Sequence, residues 1–135
     1  MELKYYNRKG IRKMSIINNQ LEYLVNKSIM LSNPYEKQIV GLSVLEDYLT
    51  EDIANEWIDE DIYLLQELLT KGIVDESVLD VYIKINDNFA SVSLGGEMYD
   101  KSIWTLTALK SDPFWEKQRK LASELLNKLP QRFIY

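Results

Sequence analysis

The chain has 135 residues, 46% of them hydrophobic, with three tryptophans, nine tyrosines and a net charge of −5 at neutral pH. That is one domain's length, with enough apolar material to bury a core without metals or disulfides. It contains neither cysteine nor histidine, which excludes disulfides, thiolate nucleophiles, zinc–thiolate sites and the commonest general base and metal ligand.

Residues 1–15 form a basic N-terminal segment, with Lys4, Arg8, Lys9, Arg12 and Lys13 against Glu2 alone, beside Tyr5 and Tyr6. Gly10 is expected to interrupt any helix there, and the segment reads as a solvated tail. Residues 16–135 then form a single helical domain. From Asn18 to Leu31, Leu21, Leu24, Val25, Ser28 and Ile29 trace a helical stripe. Asn33 and Pro34 suit the cap and first position of a second helix, which runs to about Leu49 with Ile39, Leu42, Leu45, Tyr48 and Leu49 inward. Thr50-Glu51-Asp52 opens a short third segment carrying Ile53 and Trp57. Asp59 is the expected cap of a fourth helix, in which Ile62, Leu65, Leu68 and Leu69 face inward and Gly72 offers the left-handed stop.

The stretch from Val74 to Leu94 reads two ways. As a hairpin at about 78–94, Leu79, Val81, Ile83 and Ile85 alternate with Val78, Asp80, Tyr82 and Lys84, and Asn86-Asp87-Asn88 makes the turn. As a helix, Asp75 caps, Val74 staples onto Leu79, and Val78, Val81, Tyr82, Ile85, Phe89 and Val92 form one stripe. A lone hairpin needs a third strand or a covering helix, and no other segment reads as a strand. The helix is therefore chosen, with Gly95-Gly96 ending it and a short helix following around Ile103–Lys110. The fold class expected is mainly α, a single compact multi-helix domain; α+β with that hairpin is the alternative.

The clearest helix start lies near the end of the chain. Asp112 is a natural N-cap and Pro113 a natural first residue. Phe114, Leu121, Leu125 and Leu129 follow at helical spacing, with Trp115, Ala122 and Leu126 widening the stripe. Glu116–Lys120 and Glu124–Lys128 are favourably ordered pairs, and Pro130 closes the helix. The expected packing is through Phe114, Leu121 and Leu125. All three tryptophans, Trp57, Trp104 and Trp115, sit in apolar stripes and read as core.

Sites for chemistry are scarce. Gly95-Gly96 lacks the further glycines and the Lys-Ser/Thr of a phosphate loop. Asp59-Glu60-Asp61 lacks the glycine and the closing glutamate of an EF-hand, and carboxylates in a first helical turn explain it without a metal. No catalytic residue, cofactor or metal is expected. No stretch has the length of a membrane span and the N-terminus has no apolar leader run, so the expected location is the cytoplasm.

Charge supplies the main clue. Between Lys37 and Lys71 lie Glu46, Asp47, Glu51, Asp52, Glu56, Asp59, Glu60, Asp61 and Glu67 and no positive residue. Such a field repels nucleic acid and attracts basic surfaces; solvated helix starts are the plainer account of the same residues. As a partner site the tract would use Glu56, Asp59, Glu60 and Asp61, kept out of the core by their turn, with Glu46, Glu51 and Asp52 as a rim.

Ser93-Leu94-Gly95-Gly96-Glu97, then Trp104-Thr105, then Asp112-Pro113-Phe114-Trp115-Glu116 with Arg119 and Ala122 resemble the tail of small bacterial immunity proteins of contact-dependent and polymorphic toxin systems. The resemblance covers the last third of the chain. It implies a non-enzymatic cytoplasmic inhibitor that docks on a cognate toxin domain. An acidic inhibitor would suit a basic nuclease by mimicking the charge of its substrate. The alternative is a small helical regulatory or adaptor domain that contacts nucleic acid or another partner through its basic N-terminus.

Overall fold

The computed structural model describes residues 2–44 and 50–130, and the side chains of 16–39 and 50–130. Within them the chain is mainly α, with no strand. The helices are α1 (Glu2–Ser32), α2 (Tyr35–Val44), α3 (Thr50–Asn55), α4 (Ile62–Thr70), α5 (Glu76–Val92), α6 (Leu106–Ser111) and α7 (Pro113–Lys128), with a 3₁₀ turn at Lys101–Trp104. The helix expected over 78–92 is present as α5, and all six residues of its stripe are buried. Asp75 caps it by accepting from Ser77 N–H at 2.9 Å.

α7 is the helix on which the others converge. It packs against α1, α5 and α6, while α4 lies on α5 and α1 also touches α2 and α4. Its start is as read from the sequence: Asp112 accepts from Phe114 N–H at 2.8 Å and Pro113 occupies the first turn. Its buried face is turned from the expected one. Trp115, Gln118, Arg119, Ala122 and Leu125 are buried, whereas Phe114 and Leu121 are half-buried at its margin. The reason is Arg119, whose guanidinium donates to the Leu109 carbonyl at 2.8 Å and to Gln38 Oε1 at 3.1 Å. Those bonds draw a polar residue into the seam. Glu116 consequently pairs with Arg119 (3.3 Å), and Lys128 reaches Ser77 Oγ at 3.2 Å.

The three tryptophans divide as their surroundings dictate. Trp115 is fully buried, with its ring centroid 5.6 Å from Phe89 and 5.9 Å from Trp104. Its indole N–H donates to the Ile103 carbonyl at 2.7 Å, the partner a buried tryptophan needs. Trp57 is also buried, and Trp104 is half-buried.

Several boundaries differ from the sequence reading. α1 runs through Gly10 without a break; one glycine costs a helix about 1 kcal/mol, too little to stop one of this length. Pro34 precedes α2, its carbonyl accepting from Lys37 and Gln38, so the helix begins one residue late. The inward positions expected at Leu42, Leu45, Tyr48 and Leu49 lie outside the described side chains. On α1, Ile29 is exposed and Lys27 takes a place in the core. The segment from Ile103 to Lys110 is split, because Thr105 caps α6 through Ala108 N–H at 3.1 Å. Gly72, at φ +72°, ends α4 as expected, and Ile73 N–H returns to the Leu68 carbonyl at 2.9 Å.

Candidate functional site

The acidic tract falls at the junction of α3 and α4. Thr50, buried at the start of α3, donates to the Trp104 carbonyl at 2.6 Å and so anchors that helix to the 3₁₀ turn. After α3 the chain turns through residues 56–61, and two side chains of α5 hold that turn. Tyr82, buried, donates its hydroxyl to the Trp57 carbonyl at 2.5 Å and accepts from Asp61 N–H at 3.0 Å. Asn86 Oδ1 accepts from Asp59 N–H at 2.7 Å. Asp59 itself stands at φ +61°, a left-handed conformation that aspartate tolerates better than most side chains.

Asp61 and not Asp59 occupies the cap position of α4, and its side chain makes no capping bond. It points inward instead. Asp61 is 5% exposed and forms an ion pair with Lys27 of α1, itself 3% exposed. Lys27 also donates to the Glu56 carbonyl at 2.5 Å and lies over two aromatic faces, 4.9 Å from the Trp57 centroid and 5.4 Å from that of Tyr23. Burial pushes the Asp61 carboxyl above its ordinary pKa; the hydrogen bond and charge of Lys27 oppose the rise and Glu60 adds to it. Burial likewise raises the Tyr82 phenol, with Asp61, Asp59 and Glu60 adding to the rise against the backbone bond from Asp61.

The seven candidate residues are therefore not equivalent. Glu51, Asp59 and Glu60 are exposed; Asp52 and Glu56 are half-buried; Asp61 is in the core. The expectation that the turn keeps Asp61 out of the core is corrected by its pairing with Lys27. Glu46 lies outside the described residues. Three residues that hold the junction in place, Lys27, Tyr82 and Asn86, were missed from the sequence. A signal did exist for Lys27: it stands between Leu24 and Leu31 on an inward stripe, where a lysine needs a buried counter-charge.

Among the described residues no group of three or more acidic side chains is arranged to hold a metal ion. No described helix is long and apolar enough to cross a membrane. The arrangement can present fixed negative charge on a braced turn. Compared with known proteins, the chain matches no family model, no curated protein and no solved structure.

Proposed function

We propose that this chain is a non-enzymatic protein-binding inhibitor of the immunity-protein kind, holding a basic toxin domain, a nuclease for example, through the acidic junction between α3 and α4. One observation carries the reading. Asp59 and Glu60 are exposed on a turn whose backbone is held from beneath by Tyr82, Asn86 and the Lys27–Asp61 pair, and Glu51 is exposed in the first turn of α3, which Thr50 anchors to the Trp104 carbonyl. Charges presented on a braced backbone lose little freedom on binding, so more of their attraction survives as affinity. Such charges also steer a basic partner toward the site. Asp52 and Glu56 flank the contact, and Asp61 supports it from below without touching the partner.

The test is affinity capture from the native cells with the full chain, followed by binding measurements on the recovered partner at several salt concentrations. Replacing Glu51, Asp59 and Glu60 by Gln, Asn and Gln should leave the circular dichroism unchanged while weakening binding and flattening its salt dependence. Equal affinity at low salt for the variant and the parent would remove the junction from the interface.

A further inference from the structure

The acidic junction does not end at α4. Along α1, Ile16, Tyr23 and Met30 are large apolar residues left 59%, 52% and 45% exposed. They are spaced by seven, so the three lie along one face of the helix. Lys27 stands one turn after Tyr23 on that face, yet it is turned down into the junction, where Asp61 neutralises it. Lys27 thereby ties the Tyr23 ring to the turn that carries the Glu56, Glu60 and Asp61 carboxylates. Tyr23 feels them: partial burial first, then Glu56, Asp61 and Glu60, push its phenol pKa up.

We propose that this face of α1 and the acidic junction are one docking surface, and that it takes an arginine-bearing segment of a basic protein, stacked on Tyr23 and Met30 and paired with Glu60. This rests on the reading of the junction as a protein-binding surface. An exposed tyrosine offers a π-face to a guanidinium, and flanking carboxylates supply the hydrogen-bond acceptors a guanidinium needs. Arginine fits better than lysine, because its planar head stacks while its edge still donates. The same carboxylates count against a nucleic acid, whose bases could stack on Tyr23 only by bringing phosphates toward Glu56 and Glu60.

The experiment titrates the ¹⁵N-labelled full chain with a short arginine–serine peptide, with its lysine–serine and glutamate–serine counterparts, and with single-stranded DNA. Amide shifts should gather at Tyr23, Met30, Glu56 and Glu60, and the arginine peptide should bind tighter than the lysine one. Tyr23→Ala should weaken arginine-peptide binding by about tenfold, a stacking contribution of ordinary size, while Tyr23→Phe keeps it. Glu60→Gln should weaken it and flatten its salt dependence in a chain whose fold is untouched. Shifts confined to 51–60, with Tyr23→Ala binding as the parent does, would overturn the inference and leave the acidic junction standing as an interface. Absence of peptide binding, preferential binding of DNA, or sedimentation showing that the face is closed by a second copy of the chain would each overturn it as well. The capture experiment judges the junction separately in every case.

Discussion

Taking Lys27 and Asp61 out of water costs more than their mutual attraction returns unless their remaining groups are also satisfied. Lys27 meets that condition through the Glu56 carbonyl and two aromatic faces. Asp61 meets it less well: beyond the ion pair, its Oδ2 accepts no hydrogen bond among the described residues. Removing Lys27 alone should therefore be severe. Lys27→Met is expected to cost about 3–5 kcal/mol in urea denaturation, and the double variant Lys27→Met, Asp61→Asn to recover most of it. Additive losses in that cycle would show that the two side chains act independently. The pH dependence follows from the direction of the Asp61 shift. A carboxyl whose folded pKa is raised binds its proton more tightly in the native state. Its contribution is full below the unfolded pKa and lost as pH rises through the folded one. Acidifying from neutrality should thus stabilise the parent relative to Asp61→Asn. Asp75 and Asp100, held low by their bonds to Ser77 and Ser102, act in the opposite sense, and their contribution fades only in stronger acid. Tyr82→Phe removes a hydroxyl that serves two backbone groups of the junction. Leaving buried backbone groups unpaired should cost about 1–3 kcal/mol.

At the scale of elements, periodicity and caps were sufficient for most of the chain. Asp75, Asp112 and Gly72 each perform the local task that their chemistry suggests, and the α5 stripe settles a segment that also reads as a hairpin. What the sequence did not disclose was the rotation of α7. Apolar spacing favoured Phe114 and Leu121, whereas Arg119 and Gln118 enter the seam because Leu109, Gln38, Phe114 and Asn88 supply their partners. Partners distant in sequence cannot be read from one helix. Leu125→Ala should accordingly cost about 2–5 kcal/mol, as for a fully buried leucine. Leu121→Ala should cost clearly less, since Leu121 is half-buried; equal losses would restore the simpler stripe. Gly96 is a second case. With Gly95 it read as the helix stop, yet α5 ends at Val92 with Ser93 as its cap, before either glycine, and the left-handed residue of the loop that follows is Gly95, at φ +88°. Gly96 is needed for another reason: a Cβ there would run into the Ala90 and Ser91 carbonyl oxygens at the end of α5. Backbone does not yield as a side-chain tip does, so Gly96→Ala should lose about 1–3 kcal/mol. An unchanged thermal midpoint would mean that the loop relaxes freely.

For the molecule as a whole, net charge and its uneven distribution were legible from composition, and the structure added which carboxylates remain available. A run of nine acids looked uniform in sequence, but one of them, Asp61, is committed to the core by a lysine 34 positions earlier. That commitment joins the candidate interface to α1, and α1 packs on α7 at the other end of the chain. Trp57 at the junction and Trp115 on α7 belong to one buried cluster. The acidic turn is therefore not an appendage that can melt alone. Its backbone bonds to Tyr82 and Asn86 depend on α5, and α5 depends on α7. A domain of this size with its first and last long helices in contact should unfold in one step. Tryptophan fluorescence, which reports on both the junction and α7, should then follow the same urea curve as far-UV circular dichroism. Leu125→Ala should move both curves by the same amount, although Leu125 stands on α7 and not at the junction. Separate midpoints for the two signals would show that the α3–α4 turn opens before the helices part, and a pre-braced acidic surface would lose its physical basis.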